Sequence, residues 1–319
     1  MLSFLEKRGG PYASTTAGVG GLPNNVPDTI ICAILFAMYL GFAVTNMTIL
    51  QLNKRRGHKF LMSGMLFGFG MARMTTLSLR FAWANHPYNV SLGIAANILV
   101  NAGILLVYII NLILAQRILR AKQPHIGWHP VVRHGSKVFF WLLPAALIMV
   151  ITAIVVSFYT LDPVTRSNCR IVQLTAITYL FFFTCLPLVH IILAVALPRS
   201  KDEETFGEGS MLAKILIVTA STCMCILVSG FKMGSLYEPL RPISDPAWYH
   251  GKPAFYVFNF VLEIMILSLL TFSRIDKRFW IPNGSTKPGD YGGMGRKEES
   301  GDESSQRTIN AQAAPKAQV

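Results

Sequence analysis

The chain has 319 residues, of which 52% are hydrophobic and only 14% charged, with a mean hydropathy of +0.44. A soluble domain carries about 25% charged residues, so this composition excludes a water-soluble globule. Five Cys are too few, and odd in number, for a disulfide-stapled secreted scaffold. The formal charge of +13 belongs to basic loops that face anionic lipid and the cytoplasm rather than to a nucleic-acid partner.

Residues 1–27 are polar and rich in Gly, Pro, Ser and Thr. No apolar run follows Lys7 and Arg8, so a cleavable leader is not expected there, and the segment reads as disordered and extracellular. Seven apolar stretches follow, at 28–50, 60–81, 92–117, 137–160, 171–197, 211–232 and 253–273. Each is long enough to cross a hydrocarbon layer of about 30 Å as a helix. Helix is the state that pairs every backbone group within one segment. The expected fold is an all-α membrane protein, a seven-transmembrane helix bundle over 28–273. Residues 274–319 form a cytoplasmic tail whose part from 281 on, rich in Gly, Ser, Lys and Glu, reads as disordered.

Orientation follows from Lys and Arg. The odd loops and the start of the tail carry 14 of them, and the N-terminal segment with the even loops carries 6. The N-terminus is therefore expected outside and the C-terminus in the cytoplasm. The sequon Asn89-Val90-Ser91 falls in an outer loop, making Asn89 a glycosylation candidate. The expected location is the plasma membrane or a secretory-pathway membrane.

Ionisable groups are costly in lipid and mark sites. Arg73 and Arg80 lie seven residues apart on one face of the second stretch. Glu263 is the one acidic residue well inside a stretch, with Asn259 and Tyr256 on its face. With a rise of about 1.5 Å per residue, Arg73 sits roughly 20 Å and Glu263 roughly 15 Å deep, so the two can meet. The expectation is an Arg73–Glu263 ion pair with Asn259 as an added partner, serving either to lock two helices together or to handle a ligand. Asn97, Asn101, Tyr108 and Asn111 form a stripe on the third stretch, read either as interhelical hydrogen bonding or as the wall of a polar cavity. Gly64, Gly68 and Ala72 form a small-residue seam for packing inside the bundle. Pro144 and Pro187 should kink their helices.

An enzyme is not expected. The spans hold one clear His and one clear acid, with no Ser-His-Asp set and no phosphate-binding loop. No cofactor or metal is expected: Cys223 and Cys225 point about 200° apart on a helix, and Pro124 and Pro130 break up the run of His125, His129 and His134. The last stretch lacks the internal Lys of a retinal protein and the Asn-Pro-x-x-Tyr turn of common receptors.

Three groups of residues carry a resemblance. One is Leu92 to Asn97 running on to Asn111 through Ala121 and Gly127-Trp128. The second is Lys252 through Phe260 with Glu263. The third is Arg274 to Phe279 followed by Ile281-Pro282-Asn283-Gly284. Together these resemble, over about 28–285, a fungal seven-helix membrane family known only as a domain of unknown function. The resemblance implies the seven-span architecture and a fungal source, and no activity. The Phe-Tyr-x-Phe run of the last stretch is also similar to fungal lipid-translocating exporters. There an acid is expected where this chain has Asn259, and Glu263 stands one turn away.

Function is therefore expected in one of three classes. A receptor-like protein would bind a small or lipidic ligand against Asn97, Asn101, Arg80, Tyr256 and Asn259, with its cytoplasmic loops and tail meeting a partner. A translocator would use Arg73 and Arg80 to attract anionic headgroups. A structural or assembly factor would have no ligand; membrane lipids are expected partners in every class.

Overall fold

The computed structural model describes residues 10–58 and 60–291. Helices form where the apolar stretches lie, and they run longer than hydropathy alone marks. They are α1 (Asn25–Arg55), α2 (Leu61–Asn85), α3 (Val90–Ala102), α4 (Leu105–Lys122), α5 (Pro124–Gly127), α6 (Pro130–Tyr159), α7 (Pro163–Ala196) and α8 (Met211–Tyr237). The last long rod is composite: α9 (Lys252–Tyr256), a π-helical turn (Val257–Val261) and α10 (Leu262–Phe272), with the short α11 (Ile275–Arg278) after it. No strand occurs among the described residues. Starts are set by side chains that accept from otherwise unpaired amides. Asp162 accepts from Val164 N at 3.3 Å and Thr165 N at 2.9 Å ahead of Pro163. Ser210 accepts from Ala213 N at 3.3 Å.

Six helical segments are long and apolar enough to cross a membrane: α1, α3 with α4, α6, α7, α8 and Lys252–Phe272. The molecule is accordingly a multi-pass integral membrane protein. Of the seven stretches read from sequence, the one that falls short of that criterion is α2. It has 25 residues, ample by length, but Arg73, Arg80 and several hydroxyl side chains dilute its apolar character. Its charged residues face inward, with Arg73 and Arg80 at most 2% exposed. The outer surface of the bundle is apolar instead: Ile30, Ile34, Trp141, Ile148, Ile192 and Phe272 are all exposed. Side chains of that kind are covered by lipid tails rather than water.

The innermost rod is α3–α4, with 61% of its apolar window buried, against 17% for the peripheral α6. This innermost rod runs as one span, Val90–Lys122, as expected for the third stretch. Its regular pattern lapses for two residues at Gly103 and Ile104, which both keep right-handed helical dihedrals. The small-residue seam of α2 lies within the bundle, where a Cβ on Gly64 would meet Leu50 and one on Gly68 would meet Leu106.

Loops gather at two ends. At the first, Tyr12 N donates to Phe158 O at 2.8 Å, Ala17 N to Arg241 O at 2.9 Å and Gly20 N to His250 O at 2.9 Å. At the second, Asn283 Nδ2 donates to Gly57 O at 3.1 Å, Gln123 Nε2 to Pro198 O at 2.8 Å and Glu208 N to Lys277 O at 3.1 Å. Arg117 donates to Phe279 O at the same end. There the Asp276 carboxyl is held below its usual range: burial raises it, but Arg274, with two contacts of 3.0 Å, and Asn53 outweigh that effect.

The described parts of both terminal segments make more contacts than their composition suggested. Residues 10–24 lie across the first end. Residues 281–291 return to the second, where Tyr291 is 3% exposed and its amide donates to Glu204 at 2.9 Å. Local composition carries no sign of these contacts, since each depends on a partner far away in sequence. The rest of both expected disordered segments, 1–9 and 292–319, lies outside the described residues.

Gly20 has φ +87°, and a Cβ there would stand 2.5 Å from the ring of Phe255, which is 2% exposed and has no room to move. Gly20→Ala should therefore lift the N-terminal segment off the bundle at a cost of about 1–3 kcal/mol. Limited proteolysis of the detergent-solubilised protein would register this as faster cleavage within 10–24. An unchanged rate would mean that this packing is absent in solution.

Candidate functional site

Two charged clusters and one cavity lie inside the bundle. The deeper cluster joins α2 to the last rod. Arg73 Nη2 donates to Glu263 Oε1 at 2.5 Å, and Nε faces Oε2, with both side chains fully buried. The pairing expected from their depths is present. Arg73 does more than pair: its Nη1 donates to Leu99 O at 3.2 Å and Val100 O at 3.0 Å. Both carbonyls lie at the end of α3, where Leu99 O also accepts from Gly103 N at 3.2 Å. Gly103 makes the approach possible, because a Cβ there would stand 3.3 Å from Arg73 Cζ.

The last rod breaks its regular pattern at the same level. Its π turn offers Phe260 O to Tyr39 Oη, which donates at 3.1 Å from α1. Such turns inside α-helices recur at functional sites. Asn259 sits in this turn and does not reach the ion pair as expected. Its Nδ2 donates to Phe255 O at 3.0 Å, within its own rod. Asn46, Asn85 and Asn101 make the same bond to the carbonyl four residues earlier, so the side chain folds back on its own backbone as elsewhere in the bundle.

The second cluster lies near the first end and centres on a residue that sequence reading did not single out. Asp28, 1% exposed, accepts from Tyr256 Oη at 2.5 Å, Lys252 Nζ at 2.5 Å and Asn24 N at 2.6 Å. Arg80 Nη2 stands 3.8 Å from Asp28 Oδ1. Arg80 also donates to Tyr256 Oη at 3.2 Å and Gly20 O at 2.8 Å, with its guanidinium 4.1 Å from the centre of the Phe255 ring. Arg80 and Tyr256 are thus brought together, but they are occupied by Asp28 and by the N-terminal segment. Asp28 was legible only as a polar residue at the start of an apolar stretch, where an acid in the first helical turn is ordinary.

The Asn stripe of the third stretch divides. Asn97 is half-buried, and its carbonyl accepts from Asn101 Nδ2 at 3.0 Å. Asn101 lies apart from Arg80, Tyr256 and Asn259, on a partly open cavity of about 190 Å³ lined by α3–α4, α6, α7 and α8. Beyond Gly103, Tyr108 reaches the same cavity, whereas Asn111 donates to Cys225 Sγ on α8 at 3.2 Å. The pocket expected from Asn97, Asn101, Arg80, Tyr256 and Asn259 is therefore not one site. Its members separate: Asn101 lines the cavity with α7 and α8, whereas Arg80, Tyr256 and Asn259 are held at α2 and the last rod.

The cavity also holds a residue that sequence reading missed. Lys232 stands five residues before the end of α8 and donates to Val100 O at 3.0 Å. That oxygen also accepts from Arg73, so the two cationic nitrogens lie within about 6 Å of each other. Their repulsion is worth roughly 3 kcal/mol with an effective dielectric constant of about 20. The available signal was a Lys at the edge of an apolar stretch, a position usually read as snorkelling to the surface.

The remaining candidates are apart from this region. Asn89 is exposed, and its Oδ1 accepts from Leu92 N at 3.3 Å, capping α3. His190 meets the Leu186 carbonyl in its own helix. Cys223 is exposed while Cys225 is buried, so the two diverge. Among the described residues, no group of three His, Cys, Asp or Glu side chains gathers in a metal-binding arrangement.

Residues 207–280 match a family described as "Protein of unknown function (DUF3112)". Over that stretch, which holds Lys232, Tyr256, Asn259 and Glu263, the chain is similar to a family without an assigned activity. No curated protein and no solved structure matches the chain.

Proposed function

We propose that the protein is a receptor-like membrane protein of seven crossings that binds a small or lipidic ligand between its helices, with no catalytic step. In this reading the N-terminus is outside, and the loops of the second end meet a cytoplasmic partner. One observation carries it: a cavity of about 190 Å³ in the half nearer the first end, walled by Ile104, Leu105, Val150, Ile154, Ile177 and Leu180 and set with a few polar groups. Apolar walls with sparse, well-placed polar groups are the usual make-up of a ligand site.

The crossing count is supported by the loop contacts, Tyr12 with Phe158 at the first end and Tyr291 with Glu204 at the second, which suit an odd number of passes with α2 among them. Exposed Asn89 supports the outward assignment of the first end, since its capping role uses Oδ1 and leaves Nδ2 free for a glycan. The translocator reading is weakened by the occupation of Arg73 and Arg80, whose guanidinium groups are held by Glu263, Asp28, Tyr256 and backbone carbonyls.

A photoreactive medium-chain alcohol tests the ligand reading. Labelling of purified protein should concentrate on cavity residues of α4, α6 and α7. Ile177→Trp, which fills the cavity, should reduce it about tenfold. Labelling spread evenly over the lipid-facing surface, and indifferent to that change, would remove the reading.

A further inference from the structure

The charges around the cavity do not balance. Arg73 and Lys232 converge on the Val100 carbonyl. Glu263 lies beside them, but both of its oxygens face Arg73. Among the described residues, Lys232 forms no ion pair. It is also the one charged side chain among the described residues that line the cavity. A cation in a low-dielectric site with no counter-charge of its own is costly and is relieved by an anion.

A second cation stands at the rim on the first-end side. Arg170 Nη2 donates to Glu238 O at 2.9 Å and to Leu236 O at 3.5 Å, and Leu236 is itself part of the wall. A negatively charged solute arriving at that end thus meets a guanidinium before it meets Lys232. The hydroxyls of Ser229 and Ser235 are turned back onto their own helix, donating to Ile226 O and Lys232 O at 3.3 and 3.1 Å. They are poor donors to a neutral polar ligand. Asn101, Tyr108 and Gln173 also line the cavity, and the Lys232 ammonium is the charged group among them.

We propose that the cavity takes a small organic anion, a carboxylate with an apolar tail, whose head is held by Lys232 and whose tail lies against Ile104, Leu105, Ile154 and Ile177. This rests on the ligand-binding reading above and names the ligand's chemical class. Size limits it further. A cavity of roughly 150 Å³ accepts a benzene, so about 190 Å³ fits roughly eight heavy atoms.

Hexanoate, 1-hexanol and hexylammonium form a matched set of probes. With full-length protein in detergent at neutral pH, calorimetric titration should give hexanoate at least about tenfold tighter than hexanol, with hexylammonium weakest. Lys232→Met should abolish the preference for hexanoate over hexanol, and Lys232→Arg should keep it. Ile177→Trp should weaken hexanoate and hexanol alike. Equal affinities for hexanoate and hexanol, both lost in Ile177→Trp, would overturn the charge assignment and leave the ligand reading standing. Tighter binding of hexylammonium would also overturn it. No binding of any probe, with a silent Ile177→Trp, would overturn both. Loss of all binding in Lys232→Met is resolved by the Arg variant, which supports the proposal if it rescues hexanoate and refutes it if it rescues only hexanol.

Discussion

Replacing either Arg73 or Glu263 by Ala is expected to lower the stability of the detergent-solubilised protein by about 3–5 kcal/mol, because each change strands a buried charge. The double variant should lose clearly less than the sum of the two, since neither charge is then left alone. It should not return to the wild-type level. Arg73 also serves the carbonyls of Leu99 and Val100, and an unsatisfied buried acceptor costs about 1–3 kcal/mol. Both carbonyls keep another donor, Gly103 N for Leu99 and Lys232 for Val100, so this residual loss is small. Denaturant titration of the four proteins measures the coupling. Strict additivity would mean that the pair does not form in the folded protein.

Asp28→Asn is expected to have the next largest effect, about 3 kcal/mol. The change is nearly isosteric, yet it removes the carboxylate that Lys252, Tyr256 and Arg80 share. Lys252 should matter less on its own, because its side chain is 27% exposed and partly solvated. Lys252→Met should therefore cost well under half as much. Thermal unfolding monitored by tryptophan fluorescence would rank the two variants. A larger loss for Lys252→Met than for Asp28→Asn would place the centre of this cluster on the wrong residue.

The rods were legible because lipid demands long apolar helices, and that demand is written in local composition. The Arg73–Glu263 pair was legible for a related reason: isolated charges in greasy segments have few places to go, and depth counting limits the partners. The cavity was legible in part: the polar stripe of the third stretch admits a cavity wall as one of its two readings, and Asn101 and Tyr108 do line the cavity. The walls opposite, from α6, α7 and α8, were not, because they are set by how distant helices pack and no local pattern encodes that. Lys232 and Asp28 escaped notice because both stand at the margins of apolar stretches, where charged residues ordinarily touch water. The ordering of residues 10–24 rests on contacts with loops more than 100 residues away, which no local pattern encodes.

The separation of Arg73 from its carboxylate has a consequence for biogenesis. The two lie 190 positions apart, and at about 5–20 residues per second a ribosome needs roughly 10–40 s to travel from one to the other. Through that interval the guanidinium has already entered the bilayer without its acid. The carbonyls of Leu99 and Val100 emerge only 26 and 27 positions behind it, so the first hairpin of α2 and α3 can shelter the charge while synthesis continues. The third rod thus acts as a temporary cradle for the nascent protein before it serves the finished one.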